Sequence, residues 1–277
     1  MQRSPLISNG KPTNAASFPR RVSRKLQLLF QGRLRCFELA LSLVEGKIGI
    51  EIGGPTDVFR NWHEIPRYFY GLSPPLPIYD RVASLDNCNF SDQTMWSTHK
   101  ERYHFSRRMK PGRNIIGEGS ALSSVADGAY DFVLSSHNLE HFANPVKALM
   151  EWKRITRPNG ALIVVLPDRH RTFDHRRPAT PVAHMLEDYS RNTGEDDTTH
   201  LAEVLQFHDL EIDGTLKTHT LEELRARSIN NFANRVMHHH VFDENNSGEL
   251  LRKIGLDVLA IELALPHHIF ILSRWKV

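Results

Sequence analysis

The chain has 277 residues, 24% of them charged and 40% apolar, enough for one elaborated domain or a domain with an inserted lobe. Its two cysteines, Cys36 and Cys88, exclude a disulfide framework and a four-thiolate zinc site, and are expected as small buried residues in a reducing compartment, the cytoplasm. The net charge of +3 conceals an asymmetry, because residues 1–37 hold eight basic residues and no acid, leaving 27 basic against 32 acidic in the rest.

The basic character therefore belongs to the N-terminal segment, and a nucleic-acid partner is disfavoured for the body. Residues 1–22 read as a disordered basic tail rich in Ser, Asn, Pro and Gly. An acid-free start rich in Arg and Ser also resembles an organelle transit peptide, although Pro5, Pro12 and Pro19 interrupt a long amphipathic helix. Nothing apolar follows the first charges, so no secretory signal is expected. From Ser23 to Val44, apolar residues at three- and four-residue steps predict an amphipathic helix, ended by Gly46. Lys47–Ile52 then reads as a strand that runs into Gly53-Gly54-Pro55-Thr56 and a polar helix start, the first half of a nucleotide-binding βα unit.

Residues 61–80, with four prolines, read as a loop. Further strands are expected at Arg81–Asp86, Asn114–Gly117, Tyr130–Ser135 and Ala161–Leu166. A helix over Pro145–Ile155, capped by Asn144 and stopped by Arg157-Pro158-Asn159-Gly160, lies between the last two. Beyond Pro167 the chain turns polar, with helical patterns at Val182–Tyr189, Leu201–Phe207 and Leu221–Asn234, and nine of the sixteen histidines fall in residues 168–240. The end reads as a helix over Ser247–Ile254 and a hairpin of Asp257–Leu265 with Ile269–Trp275. Strands alternating with helices imply a doubly wound, mostly parallel sheet. No apolar run reaches the roughly 18 residues of a membrane helix, and nothing in the sequence addresses oligomeric state.

Glycines after a first strand let backbone approach a nucleotide, but a lone Gly-Gly is also an ordinary tight turn. The later segments discriminate. Asp131-Phe-Val-Leu-Ser-Ser136, Leu139-Glu-His141 and Arg157-Pro-Asn-Gly-Ala-Leu162 form a series that resembles the class I S-adenosylmethionine-dependent methyltransferases, of the methyltransferase type 11 kind. The resemblance covers about residues 46–168, and the closing hairpin is similar to that family's antiparallel last strand. It implies an α/β fold with a seven-stranded sheet, S-adenosylmethionine as cofactor, and methyl transfer to a small-molecule oxygen or nitrogen acceptor.

Carried over by position, Glu51 corresponds to the acidic residue that orients the glycine loop, and Gly53 and Gly54 to that loop. Asp86 is similar to the carboxylate that takes the ribose hydroxyls, with Asp80 as a rival and a turn aspartate as the plain alternative. Glu118 and Gly119 fall where the family faces the adenine, and Ser135 lies at the mouth of the fourth strand. Pro55 departs from the pattern, because a further glycine usually stands there, and it removes an N–H donor. An acceptor must shed a proton, and His137, His141 and Asp168 are the candidate catalytic groups at strand ends. Each also has a packing or capping reading.

The insert histidines invite a metal: His184 and Asp188 at i, i+4, His200 with Glu203, and His238-His239-His240. No tight ligand signature is present, so no metal is assigned, and hydrogen bonding within a polar lid explains the same residues. Two other classes stay open, a metal-dependent hydrolase or lyase using these histidines, and a non-catalytic cofactor-binding protein suggested by Pro55. The expected organisation is a tail at 1–22, a Rossmann-like core at 23–168, a His-rich substrate lobe at 169–240, and a closing helix and hairpin at 241–277.

Overall fold

Short β-branched runs pair into the sheet that the alternating pattern demands. The computed structural model describes residues 33–61, 64, 74–94, 102–213 and 220–276. The expected tail, the first ten residues of the N-terminal helix, and parts of the loop at 61–80 lie outside the described residues.

Strand β1 (Ile48–Ile52) pairs in parallel with β2 (Ser84–Asn89) and β5 (Tyr130–Ser136), which sets it inside the sheet, buried beyond its first residue. Beyond β2 lie β4 (Gly112–Ile116), parallel, and the two-residue edge strand β3 (Arg102–Tyr103), antiparallel. On the other side β6 (Thr156–Pro167) is parallel to β5. The closing hairpin, β7 (Leu256–Ala264) and β8 (His268–Trp275), inserts β8 antiparallel between β6 and β7. The order is β3-β4-β2-β1-β5-β6-β8-β7. Eight strands stand among the described residues where seven were expected, because a two-residue pairing carries no periodicity to read.

The strands' alternation divides the core into two clusters, one on each face. Ile50, Ile52, Val133, Leu162, Val164 and Ile271 belong to one cluster, which also takes in helix α2 (Pro145–Ile155), α3 (Val182–Arg191) and α7 (Glu244–Lys253). Phe132, Leu134, Ile163, Val165 and Leu272 belong to the other, with α1 (Phe37–Val44) and the segment around Phe59, Tyr79 and Phe105. Gly49 is needed at the centre, since a Cβ there would sit 2.1 Å from the Phe132 ring.

Several boundaries differ from expectation for local reasons. Helix α1 begins at Phe37, since residues 33–36 are turn and coil. The second strand runs three residues further than expected, which moves Asp86 from its end to its middle. No helix follows Gly53-Gly54 within residues 53–61, which form turns instead. Strand β6 starts at Thr156, with the expected stop signal absorbed as an irregularity in which Asn159 takes a φ of 62°. The pattern at 221–234 breaks at Asn230 into α5 (Leu221–Ile229) and α6 (Asn231–Asn234). Helix α4 (Leu201–Phe207) and the Asn144 cap of α2, which accepts from the Lys147 N–H at 2.9 Å, are as expected. Helix α7 starts earlier than expected, at a capping box of Asp243 and Asn246.

Residues 169–240 are less separate than a lobe. Val182 and Met185 join the main core, and only Val204, Leu224 and Met237 form a small cluster of their own. The segment's two ends are stitched together. Thr180 N–H donates to the Val241 carbonyl, and Val241 N–H to Thr180 Oγ1, both at 2.9 Å.

Candidate active site

A parallel sheet opens a crevice at the carboxyl ends of its strands, where the order reverses beside β1. In this chain that crevice spans about 360 Å³, the open solvent at its mouth included. It is lined from β1 by Ile52 and Gly53, from β2 by Cys88, Asn89 and Phe90, and after β4 by Glu118 and Gly119. Asn138, His141 and Phe142 line it after β5, and Arg235 reaches in from the insert.

Gly53, at a φ of 85°, brings bare backbone to the crevice; a Cβ there would lie 2.9 Å from Asn138 Cγ. Its N–H is already given to the Cys88 carbonyl, and that of Gly54 to Asn87 Oδ1. Asn89 Nδ2 donates to the Gly54 carbonyl. The glycine loop is thus held by the tip of β2, and its own donors are spent within the protein. That fits the departure at Pro55, since this loop can contact a nucleotide through shape more than through N–H groups.

Gly119 is fixed from below, where Trp152 Nε1 donates to its carbonyl at 3.0 Å. Trp152→Phe is therefore expected to cost about 1–3 kcal/mol, read as a lower midpoint in thermal unfolding, with weaker nucleotide binding at the turn it supports. Glu118 stands at the rim, ion-paired at 2.9 Å with Arg235, which also meets Glu195 at 2.9 Å and lies over the Phe90 ring. A carboxylate at the rim, two side-chain-free turns and an aromatic face suit an adenosine. The residues present thus fit S-adenosylmethionine.

The structure brings Gly53, Glu118, Gly119 and His141 together at the crevice, sets His137 beside it near Glu140, and places the other expected residues elsewhere. Asp86 pairs across from Ile50, three residues short of the strand tip. Its carboxylate accepts from Arg113 N–H, Arg113 Nε and Tyr130 Oη, at 2.8, 2.9 and 2.8 Å. It ties β2 to β4 and β5, and Asn89 occupies the strand end. Asp86→Ala is expected to cost about 1–2 kcal/mol of stability while leaving S-adenosylhomocysteine affinity within about twofold by calorimetry. Its rival Asp80 is bonded to Ser106 away from the crevice.

Glu51 faces away as well. It is buried and accepts from Tyr79 Oη at 2.6 Å and from Tyr103 Oη. Tyr79 Oη in turn accepts from the Thr56 N–H, so Glu51 steadies the segment after the glycine loop through a tyrosine. Burial pushes its pKa up to about 7, against the pull of the two tyrosine hydrogen bonds. Gly54 is packed against this cluster, with no room for a Cβ. Ser135 is buried inside β5 without lining the crevice. Asp168 caps the turn Arg169–Arg171, accepting from His170 N–H at 3.0 Å, and also lies off the crevice.

Beside the crevice, past His141, stands a group that sequence reasoning missed. Glu140 is buried, and neither side-chain oxygen accepts a hydrogen bond from another residue. Around its Oε1 stand His137 Nδ1 at 3.8 Å, His141 Nε2 at 3.9 Å and His238 Nε2 at 4.0 Å. The far nitrogens are tethered. His137 Nε2 meets His268 Nδ1 at 2.7 Å, His141 Nδ1 meets the Met237 carbonyl at 3.2 Å, and His238 Nδ1 meets Asp174 Oδ2 at 2.6 Å. Burial, with the neighbouring imidazoles, holds the pKa of His137 and of His141 well below the usual histidine value, so both rings are neutral. Burial also pushes Glu140 up to about 7. The signal for Glu140 was in the sequence, a carboxylate between Leu139 and His141 directly after an apolar strand. The insert's partners, His238 and Arg235, sit about a hundred residues away and carried none.

The model of the family described as "Methyltransferase domain" matches residues 83–164, which hold β2, β3, β4, β5, α2 and most of β6. No curated protein matches the chain. Among solved structures, a SAM-dependent methyltransferase from Aquifex aeolicus is 14% identical over 91% of this chain and 97% of that one, with a TM-score of 0.42. A SAM-dependent methyltransferase from Methanosarcina mazei is 12% identical over 89% and 100%, at 0.47. An S-adenosylmethionine-dependent methyltransferase from Mesorhizobium loti is 11% identical over 86% and 95%, at 0.46. These likenesses are distant, and the assignment rests on the domain match together with the strand order. On that footing residues 83–164 match a methyltransferase domain, set within a Rossmann-like sheet, and S-adenosylmethionine is the cofactor that such a domain implies.

Proposed function

We propose that the protein methylates an oxygen or nitrogen of a small molecule held between the strand tips and residues 169–240, with Glu140 accepting the acceptor's proton. The observation that carries this reading is the adjacency of two environments through one residue. His141 lines the nucleotide crevice and also faces the buried, unbonded carboxylate of Glu140.

S-adenosylmethionine supplies, when bound, a methyl carbon on a sulfonium sulfur, a leaving group that needs no proton. The protein's task is alignment, exclusion of water and removal of one proton. Gly53, Asn89, Phe90, Glu118 and Gly119 hold the nucleoside side of the crevice. As the acceptor's O–H or N–H bond gives way, the proton passes to a Glu140 carboxylate oxygen, directly or through neutral His141. A carboxylate with a pKa near 7 has the basicity that such a transfer wants at neutral pH. His137, tethered to His268, borders the same mouth and positions rather than transfers. Asp168, expected among the catalytic groups, serves the turn it caps.

The cytoplasmic setting expected from the sequence is part of the proposal, supported by two buried free thiols, Cys36 and Cys88. Among the described residues, no helix is long and apolar enough to cross a membrane.

The test combines calorimetry with S-adenosylhomocysteine and labelled methyl transfer to a panel of small hydroxyl, carboxyl and amine acceptors. Binding by the wild type and an affinity loss of about tenfold in Glu118→Ala are expected, together with label on at least one acceptor class. A wild type that ignores S-adenosylhomocysteine overturns the reading.

A further inference from the structure

We infer that His184, Asp188, His200 and His240 form a structural zinc site that clamps the insert onto the core, apart from the transfer chemistry. The four residues come from three places. His184 and Asp188 lie one turn apart on α3, His200 directly precedes α4, and His240 lies on the segment leading into α7. Their donor atoms converge. His184 Nε2 lies 3.0 Å from His200 Nε2 and 3.4 Å from Asp188 Oδ2, and His240 Nε2 lies 3.7 Å from the same oxygen. A tetrahedral zinc with bonds of about 2.0–2.1 Å sets its ligand atoms about 3.4 Å apart. Three imidazoles and one carboxylate match the preferences of that ion.

The surroundings hold the ligands as a metal site requires. Thr193 Oγ1 donates to Asp188 Oδ1 at 3.2 Å, while Oδ2, the oxygen facing the histidines, is buried with no hydrogen-bond partner. Glu203 Oε2 stands 3.7 Å from His200 Nδ1, which leaves Nε2 for the ion, and Glu203 is itself fixed by buried Arg177 at 2.9 Å. A carboxylate behind a ligating imidazole is the usual outer arrangement. His240 is buried, its Nδ1 has no partner, and its Nε2 lies 3.2 Å from the Ala143 carbonyl, a contact that ligation through this atom replaces. A buried carboxylate oxygen with no hydrogen-bond partner, facing three imidazoles whose ligand atoms lie within 4.8 Å of one another, is costly unless a cation joins them.

The other histidine convergences differ. His137 and His268 stand at 2.7 Å, closer than the 3.0 Å of His184 and His200 and further inside the spacing of two ligands on one ion, and Glu140, His141 and His238 stand wider apart beside the crevice. The clamp also has a use. The chain between Asp188 and His200 carries Glu195, which holds Arg235 against Glu118. Fixing both ends of that segment keeps the insert's arginine at the cofactor rim.

The experiment uses the untagged full chain from zinc-supplemented culture, with metal content by mass spectrometry. One zinc per chain is expected in the wild type and in a control variant at an exposed histidine of the same insert, His170→Ala, and loss of that zinc in His184→Ala and in Asp188→Asn. Chelation should lower the wild type's unfolding midpoint, and added Zn²⁺ should restore it. Cobalt in its place should give the visible absorption of a tetrahedral site. Equal zinc in the wild type and both ligand variants overturns the proposal, as does a wild type without zinc whose midpoint ignores chelator. A chain that holds zinc but not S-adenosylhomocysteine sinks the transfer reading alone.

Discussion

Glu140→Gln is expected to lower kcat by about a hundredfold or more, with S-adenosylhomocysteine affinity within about twofold of wild type. The substitution keeps the shape of a buried side chain ringed by His137, His141 and His238 and removes its ability to take a proton. Proton removal matters in the transition state more than in the bound ground state, so the loss belongs in kcat rather than in the acceptor's KM. His137→Gln gives the contrast, because a positioning residue at the same mouth should move KM more than kcat. Its ring is held by His268 on β8, and loss of that tether loosens the mouth without removing the proton acceptor. Single-turnover transfer separates the two, and full activity in Glu140→Gln would remove this carboxylate from the reaction.

The second large effect concerns stability. Burial raises the Glu51 carboxyl from the ordinary 4.5 to about 7, although Tyr79 and Tyr103 hydrogen bonds pull it down. Below pH 4.5 the folded and unfolded chains both hold this proton. Between 4.5 and about 7 only the folded chain holds it, so its share of stability falls as pH rises through that window and is flat above it. That share amounts to about 3 kcal/mol. Glu51→Gln cannot ionise, and its oxygen still accepts from the tyrosines. The variant should match wild type near pH 4.5 and exceed it by up to about 3 kcal/mol at pH 8, read from denaturant midpoints at both pH values. A difference that stays the same across the range would mean that Glu51 is not buried as a proton carrier.

The order of strands and helices could be read from the sequence because it rests on local periodicity. The apolar run at 161–166, the Asn144 cap and the hairpin at 257–275 each declare themselves within a dozen residues. So does the placement of Gly53, Glu118 and His141, since all three follow strand ends. Asp86 misled because a strand's end is poorly marked. Asn87-Cys88-Asn89 looks like a turn in sequence, yet continues the strand between β1 and β4. Ser135 lies one residue short of the strand end, and its side chain is buried there. Glu51 was legible as a residue behind the glycine loop, but its partners were not, because Tyr79 and Tyr103 come from segments whose approach no local pattern encodes. The crevice's far wall was hidden for the same reason. Arg235 and His238 meet Glu118 and Glu140 across about a hundred residues of chain, and long-range convergence of that kind leaves no mark on spacing.

The reciprocal bonds between Thr180 and Val241 make the intervening sixty residues a bracket that opens and shuts at one point. Asn246 secures the clasp from α7, its Nδ2 donating to both the Thr180 and Val241 carbonyls at 2.9 Å. Between the two halves of such a clasp, the stretches that touch neither the core, as Val182 and Met185 do, nor the crevice's edge, as Glu195, Arg235 and His238 do, are free to lengthen, shorten or be exchanged while the strands behind them keep their register. A chimera grafted at Thr180 and Val241 that keeps those residues is the natural way to rewrite the bracketed text.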